Sequence, residues 1–98
     1  MTKEVVFMPA ARLEIIEAQD WYEKEKAGLG AEFRAEIDHQ VERILENPLQ
    51  FPRILADVQR AKLRHFPYGL FFRPSDDTIY VIACFHSSRN PLVWQSRV

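Results

Sequence analysis

Arg60, Lys62 and Arg64 recur at every second position of a stretch rich in strand formers, residues 57–66. Alternate residues of a strand point to one face, so the three cations share a face opposite Ala61 and Leu63. At about 7 Å apart they repel one another, and the arrangement suits a face turned to water or to an anion such as a phosphate. Arg73, on the next strand-like stretch, extends the patch. His86 is the best acid–base candidate: it ends an apolar run, where a side chain leaves the core, and Ser87, Ser88 and Arg89 follow it. His39 falls on the polar side of a helix and His65 in the strand phase opposite the basic triplet. Neither makes a site alone.

The remaining reactive types carry less. Asp76-Asp77 reads as a turn and the helical acids as a solvated face, so no two carboxylates stand at a spacing for glycosidase or metal chemistry. Gly28-Leu29-Gly30 lacks the preceding strand that a phosphate-binding loop requires. The single cysteine, Cys84, lies within the apolar run 79–85 and reads as a buried small hydrophobe. Trp21-Tyr22 reads as an anchor at the edge of the core. No cofactor and no metal is implied.

These residues must be positioned by one domain, 1–98. At 98 residues and 11.5 kDa, with 47% apolar and 28% charged residues, the chain is too short for a multidomain enzyme. No apolar run reaches the roughly 18 residues of a membrane span, and charges interrupt the first twenty positions, so the expectation is a cytoplasmic protein without a membrane partner. The net charge of −1 hides an asymmetry. Residues 1–50 hold six Lys/Arg against eleven Asp/Glu, and residues 51–98 hold seven against three. The second half can therefore offer a local basic patch, well short of a histone-like composition.

A first strand is expected over 3–8, ended by Pro9. A helix over 10–26 places Ala11, Ile15, Ala18 and Tyr22 on one face, while Leu13 and Ile16 point roughly 140 to 200° away, toward a second helix or a partner. After the Gly28–Gly30 break, a second helix over 31–46 aligns Phe33, Ile37, Val41 and Ile44. The pair forms an antiparallel hairpin. An irregular connection, 47–56, leads into strands over 57–66, 69–74 and 78–86, the last apolar at both alternation phases and so buried on both faces. A polar tail follows, anchored by Trp94. The expected core comprises Ile15, Ala18, Tyr22, Phe33, Ile37, Val41, Ile44, Leu63, Leu70, Phe72, Val81 and Ala83. The fold class is α+β: an N-terminal strand joining the edge of a small, mostly antiparallel sheet, with the helical hairpin laid across one face.

Ala11 with Trp21-Tyr22, Leu29-Gly30 with Phe33, Asn47-Pro48 with Phe51-Pro52, Arg60, Phe66-Pro67-Tyr68, Phe72, and His86, Arg89, Pro91 and Trp94 of the tail together resemble the RelE/ParE toxin superfamily, on its ParE-like side. The resemblance spans nearly the whole chain. The Phe-Pro-Tyr entering the strand and the His-x-x-Arg-x-Pro-x-x-Trp tail are its most specific parts, typical of plasmid-stabilisation or addiction-module toxins.

The resemblance implies a type II toxin neutralised by a cognate antitoxin, together forming a hetero-oligomer, with Leu13 and Ile16 as candidate antitoxin contacts. ParE-like members poison DNA gyrase, whereas RelE-like members cut mRNA on the ribosome with basic sheet residues and a C-terminal Tyr or His. Here Gly69 stands where ribonuclease members commonly place an arginine, and no tyrosine follows His86. Glycine offers no donor to a scissile phosphate. The gyrase branch is therefore favoured, with Arg60, Arg64, Arg73, His86, Arg89 and Trp94 as the target-binding face. The alternatives are a ribosome-dependent endoribonuclease using Arg60, Lys62, Arg64 and His86, and a non-toxic, antitoxin-binding family member.

Overall fold

The computed structural model describes residues 3–98. Strand β1 (Glu4–Phe7) ends two residues before Pro9, which opens helix α1 (Pro9–Glu25), where a missing backbone N–H costs nothing. Gly28, at φ +89°, turns the chain into helix α2 (Leu29–Glu46). The Glu23 carboxylate accepts from the backbone N–H groups of Gly28 and Gly30, both at 3.0 Å. It thus supplies from α1 a cap that α2 lacks in its own sequence.

A single 3₁₀ turn, Pro48–Gln50, leads to β2 (Arg53–Leu55), β3 (Val58–Lys62), β4 (Tyr68–Ser75), β5 (Thr78–His86) and a short helix α3 (Leu92–Gln95). The sheet order is β1-β5-β4-β3-β2. β1 lies at the edge and runs parallel to β5, and every other pair is antiparallel. The helical hairpin covers one face, as expected, and the mixed sheet places the chain in the α+β class. Among the described residues no helix is long and apolar enough to cross a membrane.

The main core lies between hairpin and sheet: Ala11, Ile15 and Ala18 of α1 and Phe33, Ile37 and Ile44 of α2 meet Leu70, Phe72, Ile79 and Val81. Tyr22 packs its ring against Phe33, Phe66 and Tyr68 at 5.4, 4.8 and 6.1 Å. Trp21, read as a core-edge anchor, is exposed instead, its ring edge-to-face with Tyr22 at 5.0 Å. Cys84 is buried in this core, and burial together with the nearby Glu14 carboxylate pushes its thiol up to about 12. Such a thiol is unreactive at neutral pH.

Four expectations need correction. Ala83 faces away from the helices: Phe71 pairs with Ala83 but Phe72 with Val81, so Ile82 bulges and the alternation slips by one. A second cluster results on the open face, where Val58, Phe71, Ile82, Ala83 and Phe85 lie beneath Trp94. The connection 47–56 is not wholly irregular, because β2 within it pairs with β3 around Ala56, at φ +50°. The strand expected over 57–66 stops at Lys62. Beyond it the backbone N–H groups of Arg64 and His65 both donate to Glu36 of α2, and this pull ends the ladder. The helical acids are not uniformly solvated, since Glu14 and Glu36 are bound by other elements.

Candidate functional site

β3 and β4 pair Arg60 with Phe71 and Lys62 with Gly69. Both cations thus stand on the open face, as the alternation predicted. Gly69 leaves room for the stem of Arg60: a Cβ there would meet Arg60 Cγ at 3.3 Å and Cδ at 3.4 Å, so any other residue would press the side chain aside by a few tenths of an ångström. A cavity of about 540 Å³ opens beside it, lined by Arg60, Lys62 and Gly69 on the strands and by His86, Arg89 and Trp94 of the tail.

The tail is bound down by three interactions. Trp94, 2% exposed, stacks on Phe71 with ring centroids 4.5 Å apart. The guanidinium of Arg89 lies 4.0 Å above the Phe85 ring. The carboxylate of Glu14, only 9% exposed, gathers Arg89 at 2.8 Å and Arg97 at 2.9 Å while accepting from the backbone N–H of Cys84 at 3.1 Å. α1 therefore holds the C-terminal strap through one acid.

His86 sits at the end of β5, opposite Tyr68, with ring centroids 5.2 Å apart. Its Nδ1 accepts from the backbone N–H of Ser88 at 3.1 Å, with the Ser88 hydroxyl at 2.8 Å. In the neutral ring the proton therefore belongs on Nε2, which leaves a donor rather than a base facing outward. Burial, with smaller contributions from Tyr22 and Cys84, pushes the Tyr68 phenol up. Tyr68 is thus a neutral hydroxyl at ordinary pH.

Five of the sequence-predicted residues, Arg60, Lys62, His86, Arg89 and Trp94, converge on this cavity. Trp94 does so as a buried anchor rather than an open contact. Arg64 does not converge: with β3 ended at Lys62 it turns to a second groove, shared with His39 and His65, between α2 and the Leu63–Pro67 loop. His65 is likewise off the strand, its Nδ1 3.0 Å from Glu36. Arg73 shares the open face but is held by Asp57 at 3.1 Å, away from the cavity. Leu13 and Ile16 are 56% and 45% exposed on α1, and Ile16 borders a small groove with Arg34 of α2. Among the described residues no group of three or more His, Cys, Asp or Glu could hold a metal ion.

Sequence reasoning missed Glu14, Glu36 and Gln40. Two carry a signal: Glu14 stands three after Ala11 and four before Ala18, and Gln40 three after Ile37 and four before Ile44, so each polar residue lies inside an apolar stripe, whereas Glu36, three after Phe33, only flanks one. Gln40 is fully buried and donates to the carbonyl of Lys62 at 3.2 Å, holding the end of β3 against α2.

For Glu36, burial alone would raise the carboxyl pKa. The hydrogen bonds from the His65 backbone, the His65 ring and the Arg64 backbone outweigh it, and the net shift is downward. A depressed acid stabilises the fold above its unfolded value and withdraws that support as pH falls through its folded value. Stability is accordingly expected to decline as pH drops below the ordinary 4.5, and less steeply in Glu36→Gln. Urea midpoints taken across that acid range check this, and parallel declines in the two proteins would refute it.

The family model described as ParE toxin of type II toxin-antitoxin system, parDE, matches residues 5–91. The chain belongs to the ParE toxin family. It is thus a toxin of the type II toxin–antitoxin class, with the fold that the tail and the Phe66-Pro67-Tyr68 motif led one to expect. Among solved structures, this ParE-family chain is similar to one from the chromosomal ParDE toxin–antitoxin system of P. aeruginosa, at TM-score 0.72 and 17% identity, over 87% of this chain and 96% of the other. It is also similar to one from the RelBE2 toxin–antitoxin complex of Mycobacterium tuberculosis, at TM-score 0.59 and 18% identity, over 88% and 99%. At such identities the likeness is one of fold. No curated protein gives a sequence match.

Proposed function

We propose that this ParE-family toxin acts in the cytoplasm by inhibiting DNA gyrase and is neutralised by a cognate antitoxin. The observation that carries the reading is the dispersal of the nuclease constellation: Arg64 and His86 line different cavities, and Gly69 replaces a cation beside Lys62. In-line RNA cleavage needs a base, an acid and cations around one phosphate. Here the Nδ1 of His86 is occupied by Ser88, and Arg89 is engaged by Glu14. The antitoxin is supported by the toxin–antitoxin systems from which the neighbours come. The exposed Leu13 and Ile16 on α1 are its proposed contacts within a hetero-oligomer.

Ribosome-dependent mRNA cleavage is the second reading, favoured by one observation: Arg60, Lys62 and His86 do share a cavity. The test is induced expression in a bacterium with and without the antitoxin gene, followed by assays of gyrase-linked DNA breaks and of mRNA cut at ribosomal A sites. Growth arrest with breaks is expected. Arrest with cut mRNA transfers the site to Arg60, Lys62 and His86, and absence of arrest leaves an antitoxin-binding protein without toxicity.

A further inference from the structure

His86 also borders a smaller cavity on the helical side of the sheet. Tyr68 and His86 pair across β4 and β5 and share the face that Leu70 and Cys84 turn to the helices. There they meet α1, on which Glu17 and Trp21 stand one turn apart, and the groove between encloses about 240 Å³ over a floor of Ala18 and Cys84. Its accessible groups are unspent. Trp21 is 56% exposed. Glu17 is exposed and, among the described residues, makes no ion pair. The Nε2–H of His86 is the donor left over once Ser88 takes Nδ1, and the neutral Tyr68 hydroxyl lies beside it. We propose that this groove binds a guanine base, stacked on Trp21, with Glu17 accepting from its N1–H and 2-amino groups and His86 and Tyr68 donating to its O6.

The signs of these groups select the ligand. Arg89 lies on the wall, but Glu14 meets its charge at 2.8 Å. Glu17 is thus the uncompensated charge, and it turns a phosphate or a carboxylate away. A lysine or arginine side chain would suit Glu17 and the indole face, but it brings donors only and so opposes the donor of His86 with another. Adenine offers Glu17 one amino group beside a ring nitrogen that the carboxylate repels. Guanine offers two adjacent N–H groups, which a carboxylate accepts in parallel, and a carbonyl acceptor next to them. Stacking on an exposed aromatic face complements such edge contacts. Size agrees: about 240 Å³ lies below the roughly 300–1,000 Å³ of sites for drug-sized ligands, so the groove admits one base and leaves sugar and phosphate in water.

This inference goes beyond the gyrase reading and survives its failure, because supercoiling assays read one and nucleotide titration the other. The full-length protein, labelled with ¹⁵N, is titrated with guanosine 5′-monophosphate, its inosine and adenosine counterparts, inorganic phosphate, and a single-stranded pentanucleotide with one central guanine. The guanosine nucleotide is expected to shift the Trp21 indole N–H and the His86 amide signals while the buried Trp94 indole stays in place. Affinity should fall at least about tenfold when inosine removes the 2-amino group, or on Glu17→Gln, the effect of losing a charge-assisted hydrogen bond. Trp21→Ala, followed at the His86 amide, should weaken binding comparably by removing the stacking face. Both side chains are exposed, so an unmoved Trp94 indole signal verifies that each variant is folded. A pentanucleotide bound no more tightly than the nucleotide assigns the groove to free nucleotides, and one bound much more tightly assigns it to a base on a strand. Equal affinity for the three nucleotides, the same shifts with inorganic phosphate, or unchanged binding in a folded Glu17→Gln or Trp21→Ala overturns the proposal.

Discussion

Glu14→Ala is expected to destabilise the protein by about 3 kcal/mol, the range for removing one member of a largely buried ionic cluster. The carboxylate receives Arg89, Arg97 and the backbone N–H of Cys84 at once, at 2.8, 2.9 and 3.1 Å. Truncation leaves an N–H on an inner strand without an acceptor and two guanidinium groups without their counter-charge. Arg97 keeps its bond to the carbonyl of Ile82 at 3.1 Å and Arg89 reaches water, so the loss is less than two orphaned charges would give. Glu14→Gln, which preserves one acceptor oxygen, should cost about half as much. Beyond the global effect, amide exchange over residues 87–98 should accelerate more than exchange in α2, because the strap loses the ion pairs of Arg89 and Arg97 with α1. Equal acceleration throughout, or a urea midpoint unchanged by the substitution, would mean that this cluster is no more than a surface network.

The same residue shows where a sequence can and cannot be read. Ala11, Ile15 and Ala18, and Phe33, Ile37 and Ile44, declare their helices because burial recurs at the period of the backbone itself. Residues 79–85 declare an inner strand by apolarity at both phases. Of the cavity, Arg60 and Lys62 were legible from period two, and His86 and Arg89 from their place at the end of that strand. Arg64 was misplaced because the end of β3 is decided by Glu36, an acid 28 positions away in the chain, and no local period records so distant a partner. The bulge at Ile82 is hidden for a related reason: it is a property of the register between two strands, not of either alone. Gly69 was read as a missing arginine. The three-dimensional contact shows it also to leave room for the stem of a different arginine.

Gly30→Ala is expected to destabilise by about 2–3 kcal/mol, against the usual direction for this exchange in a helix. Within an exposed helix, alanine is better than glycine by up to about 1 kcal/mol. At Gly30 an added Cβ would lie 2.8 Å from the backbone carbonyl oxygen of Gln19, with Glu23 Oε1 at 2.9 Å. A backbone oxygen within a regular helix cannot step aside as a side chain does, so the two helices must part or the first turn of α2 must shift. Either movement strains the Glu23 cap on Gly28 and Gly30. It also loosens the packing of Tyr22 on Phe33 at the hairpin end of the core. Thermal unfolding with the wild type alongside checks the sign, and a variant as stable as the wild type would show that the hairpin is not held by this close approach. Toxicity provides the second readout: because Gly30 is remote from the cavity, the variant should lose activity only in proportion to the unfolded fraction and regain it on cooling. Activity lost equally at low temperature would instead place the helical hairpin itself in contact with the target.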